Sequence, residues 1–269
     1  MIEAKFISPR FYFKKLHLFI ARAILASGRS LEVCTHVDRY RIKFVASSFL
    51  EYSFRARKSY DREQVTMHWL RNVHQEGDTV YDIGANVGAY SLYAGLKNAM
   101  GSGKIYAFEP VYANFFSLCR NIEANNLGHT VIPYPLGFGN SMGPNKMYLR
   151  STVPGSALHG LGVAESEGTK FEAEFEQGIW VTSLDIFCGE SQIDFPNHIK
   201  IDVDGGEWEI VQGMAVVIND PRLRSIMIEI NQALFGDQIE KQILRAGFTI
   251  TMVEQSGNGD TYNKLFQRS

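Results

Sequence analysis

The sequence predicts a doubly wound α/β fold, and three observations carry that reading. From Thr79 onward, short β-rich runs alternate with helical stretches. Such alternation implies a parallel sheet, and right-handed crossovers lay helices on both of its faces. Two of the runs end in turns that combine glycine with carboxylates, Asp82-Ile83-Gly84 and Asp202-Val203-Asp204-Gly205. Such folds bind ligands in the crevice beyond their strand ends. The chain then closes with two β-rich runs, Phe248–Gln255 and Tyr262–Phe266, around Gly257-Asn258-Gly259-Asp260. That pattern is an antiparallel hairpin.

The elements follow in order. Residues 9–27 read as an amphipathic helix with Phe13, Leu16, Phe19, Ile20 and Ala23 at helical spacing, stopped by Gly28. Residues 31–47 alternate as two short strands. Residues 61–74 read as a helix capped by Asp61, with Val65, Trp69 and Val73 on one face. The first 76 residues therefore form an accessory layer, and 77–269 the main domain. Its expected strands are Val80–Ile83, Lys104–Phe108, Val131–Tyr134, His198–Val203 and Ser225–Ile230. Helices are expected at Gly88–Lys97, Val111–Asn125, Glu207–Val217 and Gln238–Ala246. Residues 137–180 interrupt the alternation, with strand-like pieces only at Lys146–Leu149 and Phe171–Phe175. A connection of that length is characteristic of functional segments.

Composition narrows the class. With 45% apolar and 21% charged residues over 269 positions, the chain is neither disordered, coiled-coil nor collagen-like. Residues 1–75 hold 14 Lys+Arg against 6 Asp+Glu, a balance of +8, while the remainder balances at −10. The basic quarter either packs on the acidic body or faces an anionic or membrane-associated acceptor. Cys34, Cys119 and Cys188 are scattered, which points to a reducing, cytoplasmic setting rather than a disulfide framework. The most apolar N-terminal stretch, Leu16 to Ala26, contains Arg22. It is far short of the ~20 residues of a spanning helix, so only peripheral membrane contact is open to it.

Four motifs carry chemistry. In Val80–Tyr90 an apolar strand ends at Asp82, a tight turn through Gly84, Ala85 and Asn86 follows, and a helix starts near Gly88. A dinucleotide fingerprint needs glycine at 84, 86 and 89, but positions 86 and 89 are Asn and Ala, and no phosphate-loop Gly-Lys-Ser/Thr is present. Glu109 ends the next strand before Pro110, where a carboxylate accepts hydrogen bonds from a ribose diol. The third motif, His198–Glu209, delivers Asp202, Asp204, Glu207 and Glu209 around a glycine pair. Crowded carboxylates hold a cation or share a proton, and they also cap the following helix. Glu209 reads as a solvated member of the set. Glu229 and Asn231 end the fifth strand and border the same crevice. His159, in the long connection, is placed to reach a substrate, and Trp69 and Trp180 read as core.

Together, Asp82–Tyr90, Phe108–Pro110, Asn121–Leu127, Ile199–Gly213 and Glu229–Asn231 resemble the FkbM-type S-adenosylmethionine-dependent methyltransferase family. The resemblance implies a class I Rossmann-like fold, a mainly parallel seven-stranded sheet ending in the hairpin, and O-methylation of a sugar, glycan, glycolipid or natural-product hydroxyl. It departs at Asp204, where the family usually carries Glu. By resemblance, Asp82, Gly84, Ala85, Asn86 and Gly88 line the methionine end of the cofactor. Leu136 and Gly137 meet the adenine, and Asp202 sits near the reactive methyl. Asp202 is then the first candidate base and Asp204 the second, with Glu207 beside them; His159, Glu229 and Asn231 face substrate. The alternatives are an Mg²⁺-assisted enzyme using Asp202, Glu229 and Asn231, and a non-catalytic module that binds the cofactor while recognising a glycan or protein. Nucleic acid is not an expected partner, because the main domain is acidic.

Overall fold

The computed structural model describes residues 9–190, 192–256 and 259–268. Gly257 and Asn258 of the expected hairpin turn lie outside them. Seven strands form the main sheet: β1 (Val80–Ile83), β2 (Ile105–Phe108), β3 (Val131–Tyr134), β4 (His198–Ile201), β5 (Ser225–Asn231), β6 (Phe248–Gln255) and β7 (Thr261–Arg268). Their spatial order is β3-β2-β1-β4-β5-β7-β6. The first five run parallel, and β7 enters antiparallel between β5 and β6. The order reverses between β1 and β4, so a crevice opens at their C-terminal ends.

Strand alternation splits the core. Val80, Ile105, Ala107 and Met227 face one side, and Tyr81, Ile83, Tyr106, Phe108, Ile199, Ile201, Ile226 and Ile228 face the other. The helices are α1 (Pro9–Ala26), α2 (Ala56–Arg62), α3 (Gln64–His68), α4 (Ala89–Lys97), α5 (Tyr112–Ala124), α6 (Leu184–Glu190), α7 (Glu207–Gln212) and α8 (Asp237–Arg245). The first side is covered by α4, α5 and the N-terminal layer. The second is covered by α6, α7 and α8 through Leu184, Ile210, Ile239 and Ile243.

The N-terminal layer is tied to the sheet by specific polar bonds. Leu31–Val37 and Tyr40–Ala46 pair as an antiparallel hairpin. Its backbone donates from Val45 to Asn121 and from Lys43 to Asn125, both on or just after α5. Asn121 also donates to the carbonyl of Val87, so one side chain joins the hairpin to the first motif. Trp69 is buried and donates to the Ser225 hydroxyl of β5.

Several local expectations are corrected. On α1 the inward residues are Ala21 and Leu25, while Leu16, Phe19 and Ile20 are exposed. The helix packs inward through Ala21 and Leu25, toward its end. The helix read at 61–74 is two pieces: Asp61 belongs to α2, and the break falls at Glu63 (φ −107°, ψ 83°) before α3. The helix expected over Glu207–Val217 stops at Gln212, with Gly213 as its C-cap (φ −78°, ψ 3°), where the carbonyl of Gly139 approaches so closely that no side chain fits. The 137–180 segment builds its own small sheet, ordered Gly137–Phe138, Phe175–Thr182, Gly143–Leu149, Gly160–Leu161. The strand expected at Phe171–Phe175 therefore begins only at Phe175, and Trp180 on it is 52% exposed rather than core. Among the described residues no helix is long and apolar enough to cross a membrane.

Candidate active site

A cavity of about 390 Å³ lies beyond the C-terminal ends of β1, β2 and β4. Its wall includes Gly84, Asn86, Glu109, Leu136, Gly137, His159, Asp202 and Asp204 from the sequence-derived set. Asp82, Ala85, Gly88, Glu207, Glu229 and Asn231 are not part of that wall, and each has a different position.

The turn after β1 is shaped by close approach. Gly84 has φ +81°, and a Cβ there would run into the carbonyl oxygen of Asp202. A side chain at 84 would push β4 away from β1, so the glycine serves sheet closure as well as access. Asn86 also has positive φ (+50°) and donates its backbone N–H to Glu109 Oε2 at 2.8 Å. Glu109 Oε1 accepts from Val111 N at 2.8 Å. Burial pushes the Glu109 carboxyl up to about 7, against the pull of these two bonds. Gly88, with φ +88°, starts α4 and packs against Leu118. Ala85 is buried and donates its backbone N–H to Phe108 O.

Strand register assembles a second group behind the cavity. Lys200 of β4 lies opposite Asp82 of β1 in the parallel ladder, so the two side chains share the face that also carries Asp202. Lys200 is fully buried, donates to Asp202 Oδ2 at 2.7 Å, and stands 3.8 Å from Asp82 Oδ1. Its ammonium also sits 5.2 Å from the Tyr90 ring centroid. Burial opposes the charge, but the surrounding carboxylates win, and the lysine is held more firmly protonated than usual. Asp82 is therefore a buried partner of that lysine, bonded by Ser91 at 2.5 Å and pushed up by burial against the pull of Lys200, rather than a cavity residue. Burial, with Asp202 nearby, pushes Glu63 and Glu229 toward the neutral form.

The acidic loop after β4 is held by backbone donors. Asp204 takes the left-handed conformation (φ +64°), which short polar side chains tolerate best. Its Oδ2 accepts from Leu158 N at 2.6 Å. Burial and the charge of Asp202 push it up to about 6. Glu207 turns back, and Oε1 accepts from the N–H groups of Val203 and Gly205, both at 3.2 Å. Burial pushes it to about 7. It fixes the loop rather than lining the cavity, whereas Glu209, read as solvated, does line it. Asn231 caps the next turn by accepting from Ala233 N. The three side chains of the magnesium alternative are thus committed to Lys200, to a half-buried neutral position and to a turn. Among the described residues no three His, Cys, Asp or Glu side chains gather as a metal site.

From residues 153–159, Ser156 and His159 add to the cavity wall. The carbonyl of Ser156 accepts from Asn86 and Asn114, and that of Gly155 from Arg55. His159 is buried, with Nδ1 accepting from Arg150 N and Nε2 unpartnered. Lys200, Asn114 and Ser156 were absent from the sequence-derived set. The alternation of β4 was the available signal for Lys200, since a lysine within an apolar strand must find a counter-charge.

The strand order, the antiparallel β7 and the crevice at the β1/β4 switch define a class I, Rossmann-like methyltransferase fold. A family model for the methyltransferase FkbM domain matches residues 82–250, and the chain belongs to that family. It is 24% identical over 224 residues to the hexuronic acid methyltransferase AglP of Haloferax volcanii, covering 83% of this chain and 84% of the relative. It is also 24% identical to the methyltransferase sdnD of Sordaria araneosa, over 70% of this chain and 80% of that protein. The solved structure of methyltransferase FkbM from Methylobacillus flagellatus superposes with a TM-score of 0.52 at 14% identity, covering 95% of this chain and 60% of that one.

Proposed function

We propose that the chain is an S-adenosylmethionine-dependent O-methyltransferase acting on a hydroxyl of a sugar, glycan or natural product. The observation that carries this reading is that Glu109 at the end of β2 and Asp202 at the end of β4 line one cavity. Its volume, about 390 Å³, is within the range of small-molecule sites. The donor set suits the nucleoside cofactor: a buried carboxylate for a ribose diol, the Leu136–Gly137 edge for a base, and Gly84 and Asn86 for the amino-acid end. When bound, S-adenosylmethionine supplies an electrophilic methyl group.

The protein's own residues supply the rest. Lys200 holds Asp202 through Oδ2, leaving Oδ1 to orient an acceptor hydroxyl and take its proton. Asp204 holds the 153–159 segment over the site through Leu158. Enclosure of this kind fixes reactants in line, a large source of rate enhancement. The 137–180 segment then forms the acceptor side of a main domain spanning 77–269, with 1–76 as its accessory layer. The named activity of the AglP relative supports a sugar as acceptor. The free thiols of Cys34, Cys119 and Cys188 support a reducing, cytoplasmic location. The test is transfer of a labelled methyl group from S-adenosylmethionine to sugar and polyol acceptors, with and without a chelator. Labelled product containing an acid-stable methyl ether is the expected result, and chelation leaves its yield unchanged. Absence of cofactor binding would refute the reading.

A further inference from the structure

The charge of the cavity is one-sided. Glu109, Glu165, Glu167, Asp202, Asp204 and Glu209 line it, and among the described residues no Lys or Arg does. The nearest cations lie outside that wall. Lys200 is spent behind the wall on Asp202 and Asp82. Arg55 donates to the Gly155 carbonyl, and Arg150 stacks over Phe171 at 4.6 Å. Glu165, Glu167 and Glu209 at the mouth are half-buried, and none belongs to an ion pair among the described residues.

A second observation concerns His159. It is only 8% exposed, lines the same cavity, and its Nε2 has no partner in the protein. Nδ1 accepts from Arg150 N, which leaves the proton on Nε2. Burial pushes this imidazole down to about 4, so at neutral pH it offers an uncharged N–H donor. Such a donor satisfies a hydroxyl or ether oxygen but does not neutralise an anion. Beside it the mouth is apolar, through Val163, Leu234 and Phe235, the last stacked on Trp208.

We infer that the acceptor is an amphipathic molecule with no anionic group, and that an amine-bearing acceptor is preferred over its neutral counterpart. This rests on the reading of the site as a methyltransferase cavity and narrows its substrate class, setting it apart from the hexuronic acid named for the AglP relative: sugar acids and phosphorylated acceptors are turned away by unpaired carboxylates at the mouth.

The experiment uses the full chain saturated with S-adenosylhomocysteine, whose own binding is titrated first. Failure at that step counts against the proposed function and is distinct from the outcome that follows. Three matched probes, the p-nitrophenyl β-glycosides of glucosamine, glucose and glucuronic acid, are then titrated at low salt by ligand-observed NMR. The expected order is glucosaminide, glucoside, glucuronide, with about tenfold between first and last, a few-fold for each unpaired mouth carboxylate. In the Glu165→Gln/Glu167→Gln/Glu209→Gln variant, checked for folding by circular dichroism, that ratio falls below about threefold. Equal binding of the three, tighter binding of the glucuronide, no binding of any, or an unchanged ratio in the variant would each overturn the inference.

Discussion

Asp202 and Asp204 stand two residues apart in one motif, yet the structure gives them different partners. Asp202 ends a strand, so alternation points it to the face shared by Lys200 and Asp82, and its Oδ2 meets a buried ammonium. Asp204 lies in the loop, in a left-handed conformation, and meets the backbone N–H of Leu158. Glu207, three residues on, also meets only backbone. Asp82 and Asp202 are thus paired with charge through register, while Asp204 and Glu207 are consumed in shaping the loop. The contrast teaches that acidic residues crowded in sequence need not act as one group.

The largest effect that would break this comparison is at Lys200. Lys200→Met leaves Asp82 and Asp202 without their buried partner and should cost about 3–5 kcal/mol of stability, measured by urea unfolding. A loss under about 1 kcal/mol would mean that the strand-borne carboxylates do not depend on it. Next is Asp202→Asn, which should lower methyl transfer about 10²–10⁴-fold in a folded protein. Asp204→Asn keeps an acceptor for Leu158 N–H and should cost far less, about 0.5–1.5 kcal/mol in stability and less than tenfold in rate. If the ranking of the two aspartates reverses, the loop residue is the base and the strand residue is structural.

The smallest effect is a pH signature at Glu207. Its carboxyl sits near 7 when folded, above the usual value of about 4.3 for a free Glu. Between those values the folded state binds the extra proton, so stability falls as pH rises through that window. Glu207→Gln should flatten this part of the stability profile, followed by thermal unfolding from pH 4 to 8. An unchanged slope would show that the loop carboxylate is not buried as described.

Much of the fold was legible because the strands announce themselves. Val80–Ile83 and Val131–Tyr134 are apolar runs bounded by turn residues, and both are strands with those bounds. Residues 137–180 were not legible, since their sheet is assembled by long-range pairing such as Gly178 with Lys146, which local propensity does not encode. The break at Glu63 was hidden for a similar reason: Val65 N is satisfied by Glu254, 189 residues away. At the site, the sequence brought Gly84, Asn86, Glu109, Leu136, Gly137, His159, Asp202 and Asp204 to one cavity. It also assigned Asp82, Glu229 and Asn231 there, because strand-end position alone does not say whether a side chain turns to the crevice or into a buried ion pair.

The central claim is that the cavity between β2 and β4 holds S-adenosylmethionine through a Glu109 carboxylate that must be ionised to accept the ribose diol. Calorimetric titration of S-adenosylhomocysteine across pH 5.5 to 8.5 tests it directly, in the wild type and in Glu109→Gln. With the free carboxyl near 7, affinity should be constant above that pH and fall by up to about tenfold per pH unit below it. Glu109→Gln should bind about 10- to 100-fold more weakly at pH 8, and its affinity should lose that pH dependence. Equal affinity of the two proteins at pH 8, or the same pH profile in both, would contradict the account.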